Sequence, residues 1–225
     1  MDAAIERLSL GRMQNPVRGF LHGTAAVLSM LGASVLWDEG RGDLGLQLAL
    51  LVFAVSLVAL YTVSSLYHSV PWSSEWKVRM QRVDHSMIYL VVAGTYTPLA
   101  MVALHGPLLW GALIATWGIA VGGIAQKIFW PGVGDAFSIG MQTFQGWLAL
   151  PFMGMFARNL PHGALVLVVA GGLLYTVGMI LFVTRRPQLW PRVFSYHEVF
   201  HVFVVAASGL HYVAMLAYVA PLAAG

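Results

Sequence analysis

The sequence predicts an all-α membrane protein, a seven-transmembrane helix bundle with its N-terminus cytoplasmic and its C-terminus external. Three observations carry this expectation. Hydrophobic residues make up 59% of the chain and charged residues only 9%, with a mean hydropathy of +0.76, whereas a soluble domain carries about 25% charged residues. A chain of 225 residues cannot hide that much apolar surface in one aqueous core, so its solvent is lipid. Seven nearly uncharged runs follow one another, each close to the ~20 residues that cross a bilayer. Basic residues, finally, crowd into alternate connections.

The runs lie at about 19–37, 44–69, 84–104, 108–126, 136–157, 163–184 and 195–219. Each break has a physical cause. Asp38, Glu39, Arg41 and Asp43 with two glycines separate the first two runs, and Pro71 through Arg82 separates the second from the third. His105-Gly106-Pro107 makes a tight turn before the fourth. Lys127 to Asp135, Arg158 to His162 and Arg185 to Arg192 supply the remaining connections. All are short, so residues 1–225 read as a single seven-span domain with no repeat and no linker. The first run has a basic flank and the small residues Gly32-Ala33-Ser34, as a cleaved leader would. Its length and its place in the charge pattern favour a retained span.

Positive charge on cytoplasmic loops sets orientation. Arg7, Arg12 and Arg18 precede the first run; Lys77, Arg79 and Arg82 follow the second; Lys127 follows the fourth; Arg185, Arg186 and Arg192 follow the sixth. Arg41 and Arg158 alone fall on the opposite side. A multi-pass protein of a cytoplasmic (inner) membrane is expected.

That orientation brings several ionisable groups to one depth. Ser64 and His68 fall at the inner end of the second run, Asp84 at the inner end of the third, and His197 and His201 in the first turns of the seventh. Ionisable groups inside a bilayer are costly and are functional candidates by default. His197 and His201 are four residues apart, about 40° around a helix and roughly 6 Å along it. With no cysteine in the chain, a transition-metal site must use His, Asp, Glu and water. Three neutral imidazoles and a water suit tetrahedral Zn²⁺ with one open position. Asp84 could receive a proton from that water or pair with Arg82 or Lys77. Ser64, on the same helix face as His68, could orient it or the carboxylate.

The other histidines are ambiguous or remote. His85 points about 100° from Asp84. His22, in the first turn of the first run, lines the cavity or faces headgroups. His211 lies about 15 Å beyond His201, too far to share a ligand set. His105 and His162 fall in turns, where they are solvated. His197 to His201 also reads literally as H-E-x-x-H, the motif in which a metalloprotease holds zinc with a Glu base. Glu198 is the weaker candidate base behind Asp84, because a negative charge in a first helical turn also suits the helix dipole. Pro98 predicts a kink in the third run. The two lysines, Lys77 and Lys127, lie in loops, so no retinal linkage is available. No nucleotide fingerprint, phosphate loop or nucleic-acid patch is present.

Four blocks together resemble the hemolysin III family, the bacterial branch of the progestin and adiponectin receptor superfamily. They are Asn15-Pro16-Val17-Arg18-Gly19-Phe20-Leu21-His22-Gly23, Ser64-Ser65-Leu66-Tyr67-His68, the stretch from Arg82-Val83-Asp84-His85 through Thr97-Pro98, and His197-Glu198-Val199-Phe200-His201. The resemblance implies seven helices and a zinc ion near the cytoplasmic side, held by His68, His197 and His201. It places Asp84 against the zinc-bound water and Ser64 at the family's serine position. It also implies kinship with membrane hydrolases such as alkaline ceramidases. Glu198 departs from the animal receptor pattern, and the long N-terminal region of those receptors is missing, so hormone reception does not transfer.

The expected function is therefore a zinc-dependent hydrolase of an amide- or ester-linked membrane lipid at the inner leaflet, linked to membrane homeostasis. The alternatives are a non-enzymatic sensor of membrane state with structural zinc, and a channel or haemolysin-type pore. The expected partner is a membrane lipid, with no nucleic acid and no nucleotide.

Overall fold

The computed structural model describes residues 9–10, 13–130, 132–190 and 193–224. It is almost wholly helical. A two-residue strand pair, β1 (Ser9–Leu10) and β2 (Met13–Gln14), precedes α1 (Pro16–Glu39), α2 (Leu44–Ser69), α3 (Ser74–Ala103) and α4 (Gly106–Phe129). Then come α5 (Asp135–Gly146), α6 (Met153–Asn159), α7 (His162–Thr184) and α8 (Tyr196–Ala214). A π-helical turn at Met215–Val219 and a 3₁₀ turn at Ala220–Ala224 prolong α8.

The helix starts obey local chemistry. Pro16 and Pro107 open α1 and α4, where a missing N–H costs nothing. Asp43 caps α2, its Oδ1 accepting from the backbone N–H of Gly45 at 2.8 Å and of Leu46 at 3.1 Å. Ser195 and Glu198 form a capping box on α8.

Among the described residues, six helices are long and apolar enough to cross a membrane: α1 to α4, α7, and α8 with its extension to Ala224. The expected fifth run, 136–157, is not one helix. It breaks after Gly146, passes through a 3₁₀ turn at Leu150–Phe152 and resumes as α6. Pro151, which cannot donate a backbone hydrogen bond, sits in that turn. The third helix also departs from expectation, starting at Ser74 rather than near 84. Charged residues end a membrane span without ending a helix. Glu75 in the first turn suits the helix dipole, and the Arg79 guanidinium lies 5.1 Å from the Trp76 ring centroid.

α2 runs through the middle of the bundle, with Leu50 and Phe53 fully buried and Leu57 and Tyr61 nearly so. It packs on α1 and α3, α4 packs on α3, and α7 pairs with α8. Gly94 lets α3 approach α2 closely, since a Cβ there would stand 2.7 Å from Ser56 Cβ. Side-chain amides fasten the interrupted segment. Gln145 Nε2 donates to the carbonyls of Tyr89 at 3.2 Å and Thr116 at 3.1 Å, and Gln142 Nε2 to that of His85 at 3.0 Å. Asn159 Nδ2 donates to Ala103 O at 2.8 Å. In lipid, where apolar contact alone gives helices little reason to associate, such bonds act as glue. The outer faces of α4 and α7 are apolar and exposed, as lipid contact requires: Ile114 is 71% exposed and Val166 65%.

Candidate metal centre

α2 presents His68 as its penultimate residue, and α8 presents His197 and His201 from its first two turns. The fold brings all three together. Each offers a ring nitrogen, and these nitrogens lie within 4.8 Å of one another. His68 is 2% and His201 3% exposed, and His197 is half-buried. The ring of His68 stands edge-on to His197 (centroids 5.3 Å, planes at 88°) and to His201 (4.9 Å, 66°). His197 and His201 are 4.9 Å apart.

The donor set fits a divalent metal ion. A tetrahedral ion with nitrogens at 2.0–2.1 Å holds its ligands about 3.3 Å apart, so modest ring rotations bring the three to a common centre. A buried imidazole nitrogen normally has a hydrogen-bond partner. His201 Nδ1 has none among the described residues. The buried His68/His197/His201 group can therefore hold a metal ion.

Asp84 is not one of these three donors. It lies well inside α3 rather than at its start, half-buried, with the buried Ser64 hydroxyl in hydrogen-bonding reach of its carboxylate. Ser64 is four residues before His68 on α2, so the Ser64–Asp84 contact ties α3 to the ligand-bearing end of α2. Among the described residues Asp84 makes no ion pair with Arg82 or Lys77.

Glu198, the weaker base candidate, is committed elsewhere. Its Oε1 accepts from Arg18 Nε at 2.7 Å, and its Oε2 accepts from the Ser195 backbone N–H at 2.8 Å and from Ser195 Oγ at 3.3 Å. Both side chains of the Arg18–Glu198 pair are almost wholly buried, 6% and 4% exposed. The helix-capping reading of Glu198 holds, strengthened by an ion pair to α1 that its sequence neighbours do not announce.

His22 joins the cluster, which sequence reasoning left open. Its ring stacks on His201 with centroids 3.9 Å apart and planes at 24°, and the Tyr61 ring meets it at a steep angle, centroids 5.1 Å apart. The signal that could have found it is the spacing Arg18–His22. Two costly side chains one turn apart place one polar face of α1 inward. His211 belongs to another group, its Nε2 3.0 Å from Val168 O and its ring 5.6 Å from Tyr175. Tyr175 Oη and Ser208 Oγ are 2.6 Å apart. The His85 carbonyl serves Gln142, and His105 and His162 are exposed at helix starts.

Comparison with known proteins identifies the family. A family described as "Haemolysin-III related" matches residues 11–212. "Hemolysin-3" of Bacillus cereus is 35% identical over 204 residues, 90% of either chain. The "Hemolysin-3 homolog" of Bacillus subtilis (strain 168) is 30% identical over 199 residues, 88% of this chain and 90% of its own. The human "Monocyte to macrophage differentiation factor" is 24% identical over 206 residues, 88% of this chain and 82% of its own. The histidine cluster and its neighbours all fall within the matched residues 11–212, and the chain belongs to the haemolysin-III-related family of membrane proteins.

Proposed function

We propose that this protein is a zinc-dependent hydrolase of an amide- or ester-linked membrane lipid, working at the inner leaflet of a cytoplasmic membrane and serving membrane homeostasis. The observation that carries the reading is the convergence of three imidazole donors from two helices, and Asp84, in reach of Ser64 one turn before His68, is the carboxylate that supports it. His68, His197 and His201 would hold Zn²⁺, and all-nitrogen ligation with room for one more ligand is the pattern of a catalytic rather than a closed structural site. When bound, the ion polarises a substrate carbonyl and makes water acidic enough to attack near neutral pH. Asp84 takes the proton of the attacking water on a carboxylate oxygen and returns it to the leaving amine or alcohol. Ser64 donates to the other side of that carboxylate and fixes its orientation. The skewed distribution of Arg and Lys supports a seven-span path with the N-terminus cytoplasmic, the interrupted α5–α6 segment serving as the fifth crossing.

Burial of His68 and His201 favours a second reading, in which the metal clamps α2 to α8 and the protein senses membrane state without turnover. One experiment separates the two. Metal is measured by elemental analysis in purified wild type and Asp84→Asn, and lipids are profiled by mass spectrometry in cells carrying each. The hydrolase reading expects one metal per chain in both proteins and a lipid that accumulates in the variant. Equal lipid profiles with equal metal content favour the structural clamp, and wild type without stoichiometric metal ends both readings. The name of the Bacillus relatives raises pore formation as a third reading, and nothing in the geometry of the site favours it.

A further inference from the structure

A metal-ligating histidine is ordinarily aimed by a hydrogen bond from its second ring nitrogen to a carboxylate or carbonyl, and that outer partner fixes the ring plane. His201 lacks this device. Its Nδ1 is buried without a partner, and no described residue hydrogen-bonds its ring. The torsion that turns an imidazole about its Cβ–Cγ bond is broad and settles into no sharp well by itself. Contact must therefore hold the His201 ring. Three of its ring neighbours (His68, His197 and the adjacent Phe200) meet it at 51–77° with centroids 4.9–6.0 Å away. Among its ring neighbours His22 alone lies nearly parallel to it, 3.9 Å off and 24° from parallel. A ring nitrogen of His22 also lies near the His201 main-chain carbonyl without closing an aligned hydrogen bond. His22 is itself fixed. It is 3% exposed, and the Tyr61 ring meets it at a steep angle while sending its own hydroxyl to Val204 O at 3.4 Å.

The same two helices meet one turn nearer the start of each. Arg18 lies four residues before His22 on α1, and Glu198 three before His201 on α8, so the ion pair and the ring stack are successive rungs between the same two faces. α1 supplies none of the three donors, yet it grips α8 on the turns that carry two of them.

We infer that His22 is the positioning residue of the metal centre: its ring face holds the His201 imidazole in its ligating orientation. The inference rests on the metal reading proposed above and concerns binding rather than turnover. His22 acts through its flat face, so its nitrogens are dispensable and its planarity is not.

The test uses full-length protein in detergent, loaded with Zn²⁺ or Co²⁺. Affinity is read by competition with a chromophoric chelator, and ligand geometry by the visible spectrum of the Co²⁺ form. His22→Phe keeps a flat ring of similar size, while His22→Leu fills the space without one. The expected result is that His22→Leu binds Zn²⁺ roughly ten- to a hundredfold more weakly, the loss typical of removing an outer partner, with an altered Co²⁺ spectrum. His22→Phe should stay near wild type in both. A merely structural role would lower melting temperature in His22→Leu and leave the spectrum of the folded fraction unchanged, and that result overturns the inference. So does a His22→Phe protein as weak as His22→Leu, because the nitrogens would then be the active part. The wild-type arm tells failure of the metal reading from failure of the clamp. Wild type that takes up no metal removes the metal reading and the clamp with it, whereas wild type that binds tightly beside an equally tight His22→Leu removes the clamp alone.

Discussion

Glu198 has two oxygens and a partner for each: Arg18 on α1 and the start of its own helix. Removing one member of a buried pair strands the other's charge, which costs about 3–5 kcal/mol, whereas replacing both members is often close to neutral. Glu198→Ala should lower stability by about that amount in detergent unfolding. The double variant Arg18→Met/Glu198→Gln, which keeps an acceptor for the Ser195 N–H, should recover most of it. If the double variant is as unstable as the single one, the pair is not what holds this corner. At the neighbouring site, His68→Ala, His197→Ala and His201→Ala should each abolish stoichiometric metal while Asp84→Asn retains it, as elemental analysis would read directly. The trio was visible in the sequence because an i, i+4 histidine pair is rare in an apolar run and because charge asymmetry placed His68 at the same depth. His22 and the Glu198–Arg18 pair were not visible. Their significance depends on which face of α1 meets which face of α8, and hydropathy is silent on the rotation of a helix that is apolar nearly all round.

Elements differ in how closely they pack, and glycines report the difference. A side chain at Gly94 would press into α2 at Ser56, so Gly94→Val should destabilise by roughly 1–3 kcal/mol, the usual cost of overpacking. A methyl group at Gly118 on α4 would meet no atom within 4 Å, so Gly118→Ala should be neutral or stabilising by up to about 1 kcal/mol. Thermal melts of the two variants would show opposite signs, and equal losses would contradict the packing described. The long helices were legible because a bilayer demands long apolar runs and the connections announce themselves by charge, Gly and Pro. Two boundaries were not. Charge at 75–82 marked where lipid ends, and α3 simply continues into water. The run 136–157 carries no charged residue, so its hydropathy concealed a break at Gly146 and Pro151.

At the scale of the whole molecule the three candidate donors join distant parts of the sequence, since His68 comes from one half of the chain and the pair from the other. A ligand bound only by the folded state adds stability of about 4 kcal/mol at a thousandfold excess over its Kd. Chelation should therefore lower the melting temperature of wild type and of Asp84→Asn alike, and leave His201→Ala unmoved. A wild-type melt indifferent to chelator, with the metal shown to have gone, would mean the site contributes nothing to the fold. The absence of cysteine makes orientation equally open to test. A thiol at exposed position 41 should react with an impermeant reagent applied to intact cells, and one at exposed position 77 should not. The reverse pattern would invert the topology. The ladder between α1 and α8 also bears on biogenesis. Arg18 and Glu198 are 180 residues apart, which at 5–20 residues per second is roughly 10–35 s of synthesis. The first helix delivered to the membrane waits for the last, and a nascent chain halted before α8 owns a single donor imidazole. On the metal reading proposed above, capture must wait for α8, because a chain stopped short of it offers one donor imidazole of the three.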